Sequence, residues 1–156
     1  MQTFTIAPAE LGDLAEVAAL FRAYAAALDI DLGVQGFELE LAELPGAYAP
    51  PHGGLLLARG EAGTSLGCVA LRPLDERGCE MKRLYVRPEA RGTALGKALV
   101  AAVLAAATRL GYREIKLDTL PQLREAIALY RYFGFQPIPP YGDHPYEGTI
   151  CFGKII

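Results

Sequence analysis

Three strand-like runs follow one another in the middle of the chain: "GLLLAR" from Gly54, "SLGCVALRPL" from Ser65 and "CEMKRLYVRP" from Cys79. They are rich in branched and aromatic residues, and short glycine-containing segments separate them, which predicts three consecutive antiparallel strands. A long amphipathic stretch comes next. Leu95, Leu99, Ala102, Val103, Ala106 and Leu110 recur at helical spacing, and Gly111 stands where the helix end would be capped. "REIKLDTL" then reads as a strand, "PQLREAIALYRYFG" as a helix opened by Pro121 and closed by Gly134, and "TICFGKII" as a last strand. From residue 79 to 118 the chain is long enough for a strand, a crossover helix and a parallel strand. Before the three runs, "QTFTI" alternates as a strand that Pro8 ends, and Leu11, Leu14, Ala18, Phe21, Ala25 and Leu28 make one helical stripe. "FELELAELP" fits a short helix or an edge strand, with the helix favoured, and the proline-rich "QPIPPYGDHPYEG" reads as a loop. The expected class is α/β with a mixed sheet, in one domain spanning residues 1–156.

Composition narrows the function. With 52% hydrophobic and 21% charged residues in 156 positions, the chain can bury a full-sized core. No run of about 18 apolar residues offers a membrane span. The N-terminal "MQTFTIAPAELGDLAEV" lacks the basic start and apolar stretch of a secretory signal, so a cytoplasmic protein is expected. Cys68, Cys79 and Cys151 are odd in number and widely spaced, which predicts reduced, half-buried strand residues. His52 and His144 are isolated, and no metal site is expected. A net charge of −3 speaks against general nucleic-acid binding. Locally, Lys82, Arg83, Arg87, Arg91 and Lys97 crowd together while Asp29, Asp31, Glu38, Glu40 and Glu43 gather upstream. That pattern suits an anionic ligand on one side of a site and a cationic acceptor on the other, or simply solvated faces.

The stretch "RPEARGTALGKAL" joins the third strand to the long helix. The first N–H groups of a helix have no internal partner and sit at the positive end of its dipole, so an anion is a natural occupant. Two phosphate-binding patterns fail. Gly92 and Gly96 enclose three residues where the nucleoside-triphosphate loop needs four, and Ala98 offers no hydroxyl for magnesium. The dinucleotide pattern G-x-G-x-x-G is absent. A third fits: Arg91-Gly92-Thr93-Ala94-Leu95-Gly96 resembles the [Q/R]-x-x-[G/A]-x-[G/A] pyrophosphate loop of the Gcn5-related N-acetyltransferases. Ala126, Leu129, Tyr130, Gly134 and Phe135 match that family's A-x-x-L-Y-x-x-x-G-F pattern, and the order of elements agrees along nearly the whole chain.

The resemblance implies a GNAT-like fold, a mostly antiparallel central sheet with helices on both faces, and transfer of acetyl from acetyl-CoA to a primary amine within a ternary complex. It implies that Leu84, Tyr85 and Val86 pair through their backbone with the pantetheine arm, as an added strand would. The Leu84 N–H would stabilise the developing oxyanion. Arg91, Gly92, Thr93, Ala94, Leu95, Gly96 and Lys97 would wrap the pyrophosphate, and Tyr130 would protonate the leaving thiolate. By its residues alone, Tyr130 also fits a core position, because it shares a helix face with Leu123, Ala126 and Ile127. Glu80, eleven positions ahead of Arg91, matches the general-base glutamate of the histone-acetylating branch. Otherwise it pairs with Lys82 or Arg83, and an ordered water is the base.

Two positions depart from the family pattern. Leu123, seven positions ahead of Tyr130, stands where relatives often carry an asparagine, and Ala94 stands where they usually carry a glycine. An Ala94 inside the first helical turn would have ordinary backbone angles, so that Ala94→Gly would change CoA affinity little. The implied partner is a small-molecule or peptide amine, with neither nucleic acid nor membrane, and a homodimer is admitted. Asp118, Tyr141, Asp143 and His144 are candidates for the acceptor pocket. A catalytically silent acyl-CoA sensor is the alternative function.

Overall fold

A computed structural model describes residues 3–28, 36–142 and 147–156. Seven strands form one sheet: β1 (Phe4–Pro8), β2 (Gly54–Gly60), β3 (Ser65–Pro73), β4 (Gly78–Val86), β5 (Glu114–Thr119), β6 (Gln136–Ile138) and β7 (Ile150–Ile155). Their order is β1-β2-β3-β4-β5-β7-β6. Among the described residues only β4 and β5 are parallel neighbours, joined by the crossover helix α3 (Leu95–Arg109). Helices α1 (Leu14–Leu28) and α2 (Phe37–Ala42) precede β2, and α4 (Arg124–Tyr132) follows β5.

Two cores explain why the central strands read as nearly unbroken apolar runs. Leu56, Val69, Leu71, Cys79, Met81, Ile115 and Leu117 pack with α3, Tyr130, Phe135 and Phe152 on one face. Leu55, Leu57, Cys68, Ala70 and Tyr85 pack with Val17, Leu20 and Phe21 of α1 and with Phe37 and Leu41 of α2 on the other. Successive residues of β2 and β3 thus alternate between two apolar environments, and a strand buried on both faces has no polar side to show.

One expectation about the strands holds and three others need correction. Pro8, paired with Leu56, is the last residue of β1, as expected; β1 is an edge strand, where a missing N–H is tolerated. Residues Gln136–Ile138 of the expected loop form β6, also an edge strand, with Pro137 opposite Phe152. Helix α4 begins at Arg124, so Pro121 stands in the preceding turn. The cysteines are free, as expected, but fully buried instead of half-buried, and burial pushes the Cys68 and Cys79 thiols up to about 12. "FELELAELP" does begin as a helix.

Candidate active site

The parallel pair is brief. Gly78, Cys79 and Glu80 of β4 face Glu114, Ile115 and Lys116 of β5, and pairing stops there. Beyond this point β5 stays with β7 and β4 stays with β3, so the two central strands part like the arms of a V. The gap opens into a cavity of about 730 Å³ between Lys82–Val86, Asp118–Leu120, the start of α3 and the inner face of α4.

A bulge in β4 prepares the edge of this gap. Between the pairs Ala70↔Lys82 and Cys68↔Tyr85, one residue of β3 opposes two of β4, and Arg83 adopts φ = 61°. The additional residue reverses the alternation. Cys79 and Met81 face the α3 core before the bulge, whereas Leu84 and Val86 face it afterwards. Glycine is required next door: a Cβ on Gly67 would stand 2.6 Å from the Tyr85 carbonyl oxygen. Past Glu80, β4 shows the cleft a backbone edge that β5 does not pair.

The loop after β4 supplies donors. Gly92 and Ala94 have φ of 78° and 65°, and Ala94 is the N-cap of α3. The first internal bond of the helix runs from the Ala98 N–H to the Ala94 carbonyl at 3.0 Å, which leaves the N–H groups of Leu95, Gly96 and Lys97 without intrahelical partners. Gly96 packs closely: a Cβ there would meet Leu129 at 3.4 Å. Arg91, Gly92, Ala94, Leu95, Gly96 and Lys97 all line the cavity, as do Leu84, Tyr85 and Val86. Thr93 is not among the lining residues; its hydroxyl donates to the Ala90 carbonyl. The expectation for Ala94 is overturned, because its backbone is left-handed, a conformation that costs an L-residue roughly 1–2 kcal/mol.

The expected basic cluster is dispersed. Arg87 donates to the Ser65 carbonyl, Arg91 to the Val86 carbonyl, and the Lys97 ammonium sits 4.0 Å above the exposed ring of Tyr132. Arg83 leaves the cluster altogether. The bulge turns it toward α2, where Nε and Nη2 donate to both oxygens of Glu40 at 3.0 and 2.9 Å, between the rings of Tyr24 and Phe37. Glu40 is thereby neutralised and is not an open attractor for a cation. Asp29, Asp31, Asp143 and His144 lie outside the described residues.

Tyr130 projects from α4 against Phe135 and Phe152 and lines the cavity. It is 7% exposed, and burial raises its pKa well above the ordinary tyrosine range, so the phenol holds its proton at neutral pH. Glu80 is elsewhere. Its side chain is 2% exposed and does not line the cavity; Arg72 Nε donates to one oxygen at 2.7 Å and the Tyr141 hydroxyl to the other at 2.6 Å. Neither Lys82 nor Arg83 is its partner: Lys82 instead faces Asp118 across the V, with Nζ and Oδ1 4.0 Å apart. Burial first, and then the Glu80 carboxylate, raises the pKa of Tyr141.

An unpaired strand edge, a helix start with open N–H groups and a phenol between them form one site. Residues 18–135 match the model of the acetyltransferase (GNAT) family. The chain belongs to the GNAT family. With the family come the enzyme class, an acetyltransferase, and the cosubstrate, acetyl-CoA. This GNAT chain is 45% identical over 139 residues to an uncharacterised N-acetyltransferase of Schizosaccharomyces pombe, covering 88% of this chain and 85% of that one. Its fold is similar to a GNAT acetyltransferase from Staphylococcus aureus, with a TM-score of 0.83, 19% identity and coverage of 98% and 99% of the two chains. It is also similar to an acetyltransferase from Salmonella typhimurium solved with acetyl-CoA, with a TM-score of 0.73, 19% identity and coverage of 98% and 94%. No described helix is long and apolar enough to cross a membrane, and no group of three or more His, Cys, Asp or Glu among the described residues could hold a metal.

The loop and Tyr130, singled out from the sequence, line one cavity, whereas the partners of the charged residues were not foreseen. Arg72 carried one usable signal: it stands in a strand adjacent to that of Glu80, and antiparallel pairing brings the two opposite each other. Glu40 carried none, since its contact spans 43 residues and depends on the bulge.

Proposed function

We propose that the protein transfers acetyl from acetyl-CoA directly to a primary amine. The observation that carries this reading is the V between β4 and β5, with Tyr130 on one wall and the open start of α3 at its mouth. When bound, acetyl-CoA supplies an acetyl group activated as a thioester. The β4 edge at Leu84, Tyr85 and Val86 pairs with the extended pantetheine arm, and the Leu84 N–H faces the thioester carbonyl. Residues 91–97 cradle the pyrophosphate, chiefly through backbone N–H groups.

Tyr130 is the general acid: its buried hydroxyl gives a proton to the departing sulfur. Glu80 serves at a distance. Because Tyr141 occupies its second oxygen, the amine's proton leaves through water and the Tyr141 hydroxyl, with Glu80 at the buried end of the path. Proximity supplies much of the rate, and no covalent enzyme intermediate is needed. Cys68 and Cys79, with thiols pushed up to about 12, are poor nucleophiles.

The test is release of free thiol from acetyl-CoA in the presence of an amine panel. Amine-dependent release supports transfer. Acetyl-CoA binding by calorimetry with no release for any amine identifies the alternative, a silent acyl-CoA sensor, which the withdrawal of Glu80 from the cavity would suit.

A further inference from the structure

We infer that the acceptor is a small amino acid, an amine carrying its own carboxylate one or two carbons away, held between Lys82 and Asp118. This rests on the transferase reading above and names its substrate class.

The alternation of the two strands places these side chains. In β5, Ile115 and Leu117 face the α3 core, so Asp118 faces the α1 side. In β4, Cys79 and Met81 face the α3 core before the bulge, so Lys82 also faces the α1 side. Tyr130 belongs to the α3 core. The acid and the Lys82–Asp118 pair therefore flank the cleft from opposite faces of the sheet, and a nucleophile arriving at the pair meets a thioester whose sulfur is protonated from the other side.

Charge decides what can arrive there. Arg72 is bound to Glu80 at 2.7 Å and Arg83 to Glu40 in a two-pronged contact at 2.9 and 3.0 Å. Lys82 and Asp118 are 4.0 Å apart, with 12% and 22% of their side chains exposed, and both line the cavity. A simple amine entering here takes Asp118 and strands the Lys82 ammonium in a poorly solvated place. An amino acid offers each side chain a counter-charge at once, its ammonium to Asp118 and its carboxylate to Lys82. Tyr24, Ala27 and Leu28 at the end of α1 add a largely apolar wall for its side chain.

The experiment measures kcat/KM by thiol release for the standard α-amino acids, each beside its decarboxylated amine and its carboxamide, with acetyl-CoA affinity followed by calorimetry. At least one amino acid is expected to exceed both of its analogues by about tenfold or more, since a site built for a charged group rejects the molecule that lacks it. Lys82→Met should bring that ratio close to one while leaving acetyl-CoA affinity unchanged, and Lys82→Arg should preserve it. Equal or faster turnover of the carboxylate-free amines overturns this inference and leaves transferase activity intact, as does an undiminished ratio in Lys82→Met. Acetyl-CoA binding without thiol release for any acceptor overturns both readings.

Discussion

The two walls of the cleft are made of different material. The wall toward α3 is mostly backbone: the unpaired edge of β4, left-handed Gly92 and Ala94, and the open N–H groups of residues 95–97. The wall toward α1 and α2 is side chain: Lys82 and Asp118 line it as a pair, and two further pairs on that side of β4, Arg72 with Glu80 and Arg83 with Glu40, tie up the neighbouring charges. Backbone recognition suits a ligand part that stays the same from one acetyl transfer to the next. Paired side chains can be changed one at a time, so the second wall is where a substrate is chosen.

Substitutions can break this contrast, beginning with the proposed acid. Tyr130→Phe should lower kcat by about 10²–10⁴, the usual worth of a positioned acid, while the acetyl-CoA dissociation constant stays within twofold or so. A comparable loss of acetyl-CoA affinity would make Tyr130 part of the binding wall. Next in size is Glu40→Ala, which leaves the Arg83 guanidinium, its side chain 4% exposed, without a counter-charge. Denaturant unfolding should show about 3–5 kcal/mol of lost stability, and a loss below about 1 kcal/mol would mean that Arg83 finds another partner.

A smaller effect falls on the proposed proton path. Glu80→Gln and Tyr141→Phe should each reduce turnover by roughly tenfold, with acetyl-CoA affinity unchanged and similar pH profiles, because the first removes the terminal proton acceptor and the second the hydroxyl that leads to it. Different profiles for the two variants would separate Glu80 from Tyr141. The smallest effect sharpens the contrast from the backbone side. Ala94→Gly relieves a left-handed alanine and should raise unfolding free energy by up to about 1 kcal/mol, read from the denaturation midpoint. A loss of stability would show that the methyl packs usefully.

Alkaline pH probes both cores together. Burial raises the pKa of Tyr24, Tyr48 and Tyr130 and pushes the Cys68 and Cys79 thiols from 9.0 up to about 12. These groups lose protons first in the unfolded chain, so the unfolded state is favoured as pH rises. Stability should fall from about pH 9 upward, as a titration of the denaturation midpoint would reveal.

Much of the backbone wall was legible because its signals are local. Gly92, Gly96 and Gly111 sit within a few residues of the helix ends they shape, and the stripe from Leu95 to Leu110 follows one period. The ion-pair wall was not legible in the same way. Arg83 seemed to belong with Arg87 and Arg91 by proximity in sequence, yet one additional residue in β4 sends it to the opposite face. Ala94 was misread for a related reason: alanine is the best helix former, but the chain had to enter α3 through a left-handed corner, and the need for that corner outweighed propensity. Pro137 marked a loop by composition, while the open edge of the sheet let it stand in a strand.

The uneven count of residues between β3 and β4 also leaves a trace that a mutational scan can read. Along β4, tolerance of polar substitutions should keep one rhythm through position 82 and another from position 84, with apolar residues demanded at 79 and 81 and then at 84 and 86. A phase slip of this kind within a single strand would locate the parting of the sheet without any ligand or substrate in hand.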